Sequence, residues 1–284
     1  MSLTNTQPGG VRPGEVVLEA APIAPPVLGV HGITKRYAPG LRPVLEDLSF
    51  EVRAGEIVCI VGPSGIGKTT LLKSIAGLHP VSSGRIEIDG VPISGPPRQM
   101  ALVFQDYSRS LMPWLTVPKN VAMPLRRLQL SKKETAERCR AALEAVNLVD
   151  AERKYPWQLS GGMQQRVAIA RALAYQPEVL IMDEPFASVD AQTRFELEDL
   201  TLSIRDSYDM TIVVVTHDID EAVYLADRVV VLGGDPAHVR TTIEVDLPTP
   251  RTQVATRADQ RFTSLRTEVL EVISRARPGT DEPS

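Results

Sequence analysis

The sequence of 284 residues predicts an α/β fold with a mostly parallel sheet and a helical lobe inserted into it. Continuous apolar runs recur along the chain, which is typical of strands buried on both faces beneath helices. A second observation is that the stretch from Tyr107 to about Tyr175 contains no good strand pattern. The apolar runs are EIVCIVG (56–62), VLIMDEP (179–185), TIVVVTH (211–217) and RVVVLGG (228–234).

Two other segments alternate between apolar and polar residues. In DLSFEV (47–52), Leu48, Phe50 and Val52 share one face. RIEIDG (85–90) alternates as well and ends in an Asp-Gly turn signal. Both patterns predict half-buried strands.

Helical periodicity predicts the lobe in the middle of the chain and a helix near its end. Ser131 and Glu134 have capping-box spacing at the start of SKKETAERCRAALEAV (131–146). RFTSLRTEVLEVI (261–273) predicts a short docking helix. The apolar residues at helical spacing are Ala136, Cys139, Leu143 and Val146 in the first segment, and Phe262, Leu265, Val269 and Ile273 in the second.

These patterns divide the chain into three parts. Residues 1–27 are rich in Pro and Gly and are predicted to be a flexible leader. Residues 28–257 form the α/β domain, with its helical lobe at about 107–175. Residues 258–284 are predicted to form a C-terminal helix and tail. No internal repeat is visible, so a second copy of any site must come from a second chain.

Composition excludes several classes of protein. The net charge of −4, with acids and bases interspersed, argues against a nucleic-acid partner. The apolar runs are too short to cross a bilayer, and the N-terminus lacks the pattern of a secretory signal. With Cys59 and Cys139 in buried or half-buried patterns, a reducing compartment such as the cytoplasm is expected.

The segment GPSGIGKTT predicts a phosphate-binding loop. It fits the pattern G-x-x-x-x-G-K-[ST], follows a buried strand and opens a helix. Its backbone N–H groups and the helix dipole favour phosphate groups. Lys68 is expected to reach the β- and γ-phosphates, and Thr69 to ligate Mg²⁺. The predicted nucleotide-binding residues of this loop are Gly62, Pro63, Ser64, Gly65, Ile66, Gly67, Lys68, Thr69 and Thr70.

The segment VLIMDEP supplies the acids that such a loop requires. Asp183 lies at the carboxyl end of a strand, where it can hold Mg²⁺ through water. Neighbouring residues of a regular strand point to opposite sides, so Glu184 is assigned a different role, the polarisation of the attacking water. Together the loop and the acids predict hydrolysis of a nucleoside triphosphate.

Two residues at strand ends have both a structural and a chemical interpretation. His217 ends a buried strand and is followed by the capping-box pattern of Asp218 and Glu221, so it lies at the edge that carries the loop and the acids. Gln105 lies where the lobe begins and can bind Mg²⁺ or orient water, or simply form hydrogen bonds at a domain junction. The segment LMPWLTVP (111–118) that follows is either a partner surface or a core-facing loop.

The segment LSGGMQQRVAIARAL (159–173) begins a helix with two poor helix formers and contains no acid, histidine or cysteine. Ser160 is a good N-cap, and Gly161 and Gly162 leave the first N–H groups open to a phosphate. This arrangement is half of an anion site. Because the chain has one phosphate loop, we expect this half to cover the nucleotide of a second copy.

Taken together, these motifs resemble the ATP-binding cassette (ABC) ATPases of membrane transporters over about residues 28–257. The resemblance implies a P-loop NTPase core with a mostly parallel sheet, an antiparallel β subdomain and an inserted helical lobe. The corresponding motifs are the Walker A loop (Gly62–Thr69), Q-loop (Gln105), signature (Leu159–Gln164, including Gln164), Walker B acids (Asp183 and Glu184), D-loop (Ser188–Asp190), switch histidine (His217) and adenine-stacking aromatic (Tyr37).

The resemblance also implies a mechanism. ATP stacks on Tyr37, and Thr69, Gln105 and, through water, Asp183 hold Mg²⁺. Ser160, Gly161 and Gly162 of a second copy close over the γ-phosphate. Glu184 activates water, and His217 stabilises the γ-phosphate or the developing charge.

Three segments look like those of importers of nitrate, sulfonate, taurine and related small solutes. They are FQDYSRSLMPWLTV (104–117), LSGGMQQRVAIARAL (159–173) and RFTSLRTEVLEVI (261–273). That subfamily implies a homodimer of ATPase subunits, bound to transmembrane permease subunits at the cytoplasmic face of the membrane, and a solute-binding protein that acts through the permease. Ile66 and ASVD (187–190) depart from common family residues. We expect the Ile66 N–H to remain available and the D-loop to differ only in fine packing.

Three alternatives remain open. An exporter or lipid-handling ATPase would lack a solute-binding protein. A non-transport relative would contain a long coiled-coil insertion or two tandem cassettes, and this sequence has neither. A nucleotide-binding scaffold without turnover would lack Glu184 or His217, and both are present.

Overall fold

A computed structural model describes residues 26–275, apart from the side chain of Tyr107. Most of the predicted leader and the end of the predicted tail therefore lie outside the described residues. The first strand begins at Pro26, which pairs with Arg53. Proline is tolerated at the first position of a strand.

The strands form one small and one large sheet. They are β1 (Pro26–Lys35), β2 (Leu45–Arg53), β3 (Ile57–Val61), β4 (Ser83–Ile88), β5 (Val91–Pro92), β6 (Met100–Val103), β7 (Val179–Asp183), β8 (Thr211–Val215), β9 (Arg228–Gly233) and β10 (His238–Glu244). In the small sheet, neighbours pair antiparallel in the order β2-β1-β4-β5. In the large sheet the order is β10-β9-β3-β8-β7-β6, and only β10 runs antiparallel to its neighbour.

The helices cover the large sheet and form the inserted lobe between β6 and β7. The predicted α/β fold, with its parallel sheet, antiparallel sheet and helical lobe, is confirmed. The helices are α1 (Lys68–Ile75), α2 (Tyr107–Ser110), α3 (Val117–Val121), α4 (Lys132–Ala145), α5 (Gly161–Ala174), α6 (Ala191–Tyr208), α7 (Ile219–Leu225), α8 (Gln253–Ala258) and α9 (Gln260–Arg275). Among the described residues, none of these is long and apolar enough to span a bilayer.

The alternating side chains of the buried strands separate two cores. In β3, Ile57, Cys59 and Val61 pack on the face covered by the lobe, α6, α7 and α9. Val58 and Ile60 point to the other face, where α1 and the small sheet pack. The buried strands and the two free, buried cysteines agree with the sequence prediction.

Within the lobe, the buried face of α4 differs from the prediction in one residue, and the segment LMPWLTVP (111–118) lies partly in the core and partly at the surface. The capping box of α4 is present, but Ala136 is exposed; the buried face is formed by Cys139, Ala142, Leu143 and Val146, the pattern i, i+3, i+4, i+7. In the segment after α2, Leu111 is buried while Trp114 is 70% exposed, so this segment contributes both to the core and to the surface.

One guanidinium links the two C-terminal helices to α6 and α7. Arg257 of α8 forms an ion pair with the buried Glu198 of α6 (2.7 Å) and lies over the rings of Phe195, Tyr224 and Phe262. Burial raises the pKa of Glu198, and the charge of Arg257 opposes this shift. Arg257 is therefore one of the contacts that hold the C-terminal helices against α6 and α7, beside Gln253, which donates to Glu198 and Asp199.

We predict that Arg257→Met destabilises the fold by about 3 kcal/mol at neutral pH, because it leaves a buried carboxylate without its cation. The variant raises the pKa of Glu198 further, so the folded state keeps a proton that the unfolded state releases. Stability then falls as pH rises from the ordinary carboxyl pKa towards the raised one. Chemical unfolding at pH 5 and pH 8 should show a larger loss at pH 8.

The control is the double variant Arg257→Met with Glu198→Gln, which removes the buried charge and should recover at least half of the loss. Equal losses at both pH values, or no recovery in the double variant, would contradict this account of the docking.

Candidate functional site

The loop between β3 and α1 has the conformation that its glycines predict. Gly65 and Gly67 have positive φ angles of 80° and 111°. A Cβ at Gly67 would also lie 2.9 Å from the side chain of Val44. The N–H of Ile66, which we expected to remain available, instead donates to the Pro63 carbonyl (3.3 Å). This hydrogen bond tightens the loop.

Lys68 begins α1 and lies back across this loop. It is 7% exposed, and its Nζ donates to the carbonyl oxygens of Gly62 (2.8 Å) and Pro63 (3.2 Å). Burial lowers the pKa of Lys68, whereas the nearby charges of Glu184 and Asp183 act to raise it. The ammonium group and the two acids therefore lie at one place in the fold.

Asp183 ends β7 and is the buried member of the acidic pair. Burial raises its pKa, followed by the charge of Glu184, while Lys73 and Lys68 act to lower it. Its Oδ1 is buried without a hydrogen-bond partner among the described residues. A buried carboxylate oxygen of this kind is a ready ligand for a cation or its bound water.

Glu184 follows directly and leaves the regular strand. Its φ of 43° is unusual for a residue with a side chain, and its N–H donates to the Val215 carbonyl of the neighbouring strand (2.7 Å). Regular strand geometry, which would point the side chains of Asp183 and Glu184 to opposite sides, therefore does not apply at Glu184. The turn brings the Glu184 carboxylate beside two predicted site residues.

Both Gln105 and His217 contact the same oxygen of Glu184. His217 Nδ1 lies 2.8 Å from Oε2, and because a carboxylate only accepts, Nδ1 carries the hydrogen in this contact. Gln105 Nε2 donates to the same oxygen over 3.4 Å. The structure therefore brings Gln105 and His217 together on Glu184 Oε2. Gln105 and Asp183 are both predicted to hold Mg²⁺, but the hydrogen bond of Gln105 is to Glu184.

Tyr37 lies beside the first turn of α1. Its hydroxyl oxygen is 3.0 Å from Thr70 Oγ1, and 58% of the residue is exposed. Thr69, the predicted Mg²⁺ ligand, is exposed at the start of α1 next to Lys68. Tyr37, Thr69, Thr70 and Lys68 therefore surround one end of a single helix.

The signature helix α5 begins as predicted, but its two glycines differ. Ser160 is the N-cap, and its Oγ accepts from Met163 N (3.3 Å). Gly161 is exposed, whereas Gly162 is buried, and a Cβ there would lie 2.3 Å from Thr193 Cγ2. Thus Gly162 has a packing role that the sequence did not indicate.

Gln164 anchors the same end of α5 within the chain. Its Nε2 donates to the carbonyl oxygens of Pro156 (3.1 Å) and Leu159 (3.2 Å). This amide group therefore holds the segment before Ser160 in place.

Asp190 caps α6, next to the signature glycines. It accepts from the N–H of Thr193 (3.0 Å) and from its hydroxyl (2.7 Å), and these bonds lower the pKa of Asp190. One residue later, Arg194 donates to Asp218, the neighbour of His217 (3.0 Å). No local sequence pattern indicates Thr193 and Arg194, because Thr193 packs on Gly162 and Arg194 binds Asp218, and both contacts join separate helices.

The donor set fits a Mg²⁺ ion only if phosphate oxygens complete its coordination. No group of three or more His, Cys, Asp or Glu side chains able to hold a metal occurs in the part of the chain that the structure describes. Mg²⁺ is commonly held by one or two carboxylates together with substrate phosphates and water. The buried, unpartnered Oδ1 of Asp183 and the exposed hydroxyl of Thr69 suit that arrangement.

A phosphate loop, a buried acid and a second acid bound to a histidine, all at the carboxyl edge of a parallel sheet, define a nucleoside triphosphatase. The comparisons with known proteins identify its family. The profile of the ABC transporter family matches residues 45–187. The chain therefore belongs to the ABC ATPases, which bind and hydrolyse ATP.

Two relatives align with this chain over almost their whole length. The chain is 40% identical to an aliphatic sulfonates import ATP-binding protein from Bacillus cereus over 87% of this chain and 96% of that protein. It is 42% identical to a nitrate transport protein from Klebsiella oxytoca over 89% of this chain and 98% of that one.

Solved structures show the same architecture. A Clostridium perfringens protein, part of an ABC transporter complex, superposes with a TM-score of 0.72 at 29% identity, over 77% of this chain and 88% of that chain. A dimeric ATP-binding cassette in a post-hydrolysis state, bound to ADP and Pi, gives a TM-score of 0.67 at 31% identity, over 77% of this chain and 98% of that chain.

We predict that Gly162→Ala destabilises the protein by about 1–2 kcal/mol, because overpacking against the Thr193 methyl outweighs the gain in helix propensity. Adding Thr193→Ser removes that methyl group, keeps the hydroxyl for Asp190 and should restore stability. Thermal unfolding of both variants and of Thr193→Ser alone provides the measurement. A Gly162→Ala variant as stable as the wild type would show that this contact is unimportant.

Proposed function

We propose that this protein is the ATP-hydrolysing subunit of a membrane ABC importer for a small solute such as nitrate, a sulfonate or taurine. The observation that carries the ATPase part is the convergence of Gln105 and His217 on Glu184, beside Lys68. The importer part rests on relatives named for sulfonate import and nitrate transport. An exporter or lipid-handling ATPase is the competing function.

In the proposed site, the backbone of the loop and Lys68 bind the phosphates, and Tyr37 stacks on adenine. Glu184 is the base that polarises the attacking water. His217 contacts the Glu184 carboxylate and would stabilise the γ-phosphate or the developing charge. A bound Mg²⁺ would neutralise phosphate charge, with Thr69, Gln105 and Asp183 as its protein contacts.

We propose further that two copies form the complete catalytic unit. Ser160, Gly161, Gly162 and Gln164 belong to the end of α5 that would face the ATP of the partner copy, with Asp190 beside them. Support comes from the single phosphate loop in the sequence and from the dimeric state of a solved relative. In this arrangement each nucleotide lies between the loop of one chain and the signature of the other.

The transporter supplies the remaining partners. We place the subunit at the cytoplasmic face of the membrane, bound to permease subunits, with a solute-binding protein acting through the permease and no nucleic acid involved. The proposed division of the chain is a leader at 1–27, an ATPase domain at 28–257 and a C-terminal helix and tail at 258–284.

We predict that Glu184→Gln binds ATP with unchanged affinity but loses turnover by at least about 100-fold, the lower range for a general base. Because hydrolysis reopens the dimer, this variant should also accumulate as a dimer with ATP. Phosphate release, nucleotide binding and size-exclusion chromatography provide the measurements. Glu152→Gln, at an exposed position, is the matched control. Normal hydrolysis by Glu184→Gln would remove Glu184 from this role.

The importer assignment is tested by copurification from membranes. We expect permease subunits and a solute-binding protein to copurify, and the binding protein to be stabilised by nitrate, a sulfonate or taurine in a thermal-shift screen. A permease without any solute-binding protein would favour the exporter, and the absence of a membrane partner would refute the transport function.

A further inference from the structure

Three contacts fix the side chain of Tyr37, and they come from the start of α1, the loop after α1 and the end of β1. The hydroxyl contacts Thr70 Oγ1 on the helix (3.0 Å). The ring meets the imidazole of His79 edge to face, with centroids 6.1 Å apart and an angle of 85°. Lys35 Nζ lies over the ring, 5.4 Å from its centroid.

Lys35 is a buried cation with an unusual set of partners. It is 8% exposed, and its Nζ donates to the Pro80 carbonyl (2.6 Å). The ion pairs found between residues 26 and 275 do not include Lys35. Since a buried ammonium group requires compensation, the face of the Tyr37 ring is a main source of it.

Among the described residues, the ring contact with Tyr37 is the interaction that the structure gives the side chain of His79. It follows α1 at a half-buried position, and its Nδ1 is buried without a hydrogen-bond partner there. Its ring contact with Tyr37 closes one side of the aromatic group. Since 58% of Tyr37 is still exposed, the ring retains surface for a ligand.

We propose that Lys35 and His79 are positioning residues, which hold the Tyr37 ring in the orientation that stacks on the adenine base. This inference rests on the proposed role of Tyr37 in nucleotide binding. A ring that is already ordered loses less conformational entropy when a base binds. The pair therefore sets the affinity for the base separately from the affinity for the phosphates, which the loop at 62–69 provides.

Lys35 and His79 should contribute unequally to the affinity for ATP. Lys35 supplies a desolvated cation on the ring, whereas His79 supplies an edge contact between aromatic groups, which is weaker. We therefore expect Lys35→Met to raise the KM for ATP about fivefold, and His79→Gln about twofold, with kcat within about twofold of the wild type.

The experiment separates base binding from phosphate binding. Steady-state ATP hydrolysis gives kcat and KM, and inorganic triphosphate, which has no base, is used as a competitive inhibitor. Its inhibition constant should be unchanged in Lys35→Met and His79→Gln. Lys35→Arg keeps the cation and should restore most of the affinity. Arg36→Met removes an exposed cation from the next position in the chain and is the matched control.

A double-variant cycle tests the route through the ring. In a Tyr37→Ala background, Lys35→Met should raise the KM no further, because the ring that it orients is gone. An unchanged KM in Lys35→Met, an additive effect in the Tyr37→Ala background, or weaker inhibition by triphosphate would each overturn the proposal. Failure of the wild-type protein to hydrolyse ATP would instead refute the proposed function itself.

Discussion

The site depends on the pairing of β8 between β3 and β7. Parallel pairing brings the carboxyl ends of all three strands to one edge, with Ile60 opposite Val215 and Val215 opposite Asp183. Two backbone hydrogen bonds continue this pairing beyond the strands, from Thr216 to Ile60 (3.2 Å) and from Glu184 to Val215 (2.7 Å). The loop, the acids and the histidine are therefore positioned by main-chain geometry, which most side-chain substitutions leave intact.

One residue at this edge departs from regular geometry. Glu184 adopts a left-handed conformation, which costs on the order of 1–2 kcal/mol for a residue with a Cβ. Its N–H bond to Val215 offsets part of that cost. In this conformation the carboxylate contacts His217 and Gln105. The strain is therefore located at the residue with the proposed chemical role.

Local sequence information was sufficient for β2, β3, β4, β7, β8 and β9, for the phosphate loop and for the helix caps, because each depends on neighbouring residues, whereas β1 and β10 were not assigned. It was insufficient wherever two distant elements touch. The burial of Gly162 against Thr193 and the orientation of Glu184 are of this kind. Ala136 was misplaced because a single alanine among charged residues does not define which face is buried, and α8 was missed because it is short.

The first turns of α6 connect the parts of the site that serve different nucleotides. Asp190 caps this helix, Thr193 packs on Gly162 of the signature helix, and Arg194 binds Asp218 beside His217. The signature would cover the ATP of the partner copy, whereas His217 belongs to the site of its own chain. Because tightly packed contacts transmit small shifts, movement of the signature against a partner would displace the N-terminus of α6 and, through Arg194, the segment that carries His217. In the proposed dimer, this short path would link the two nucleotide sites.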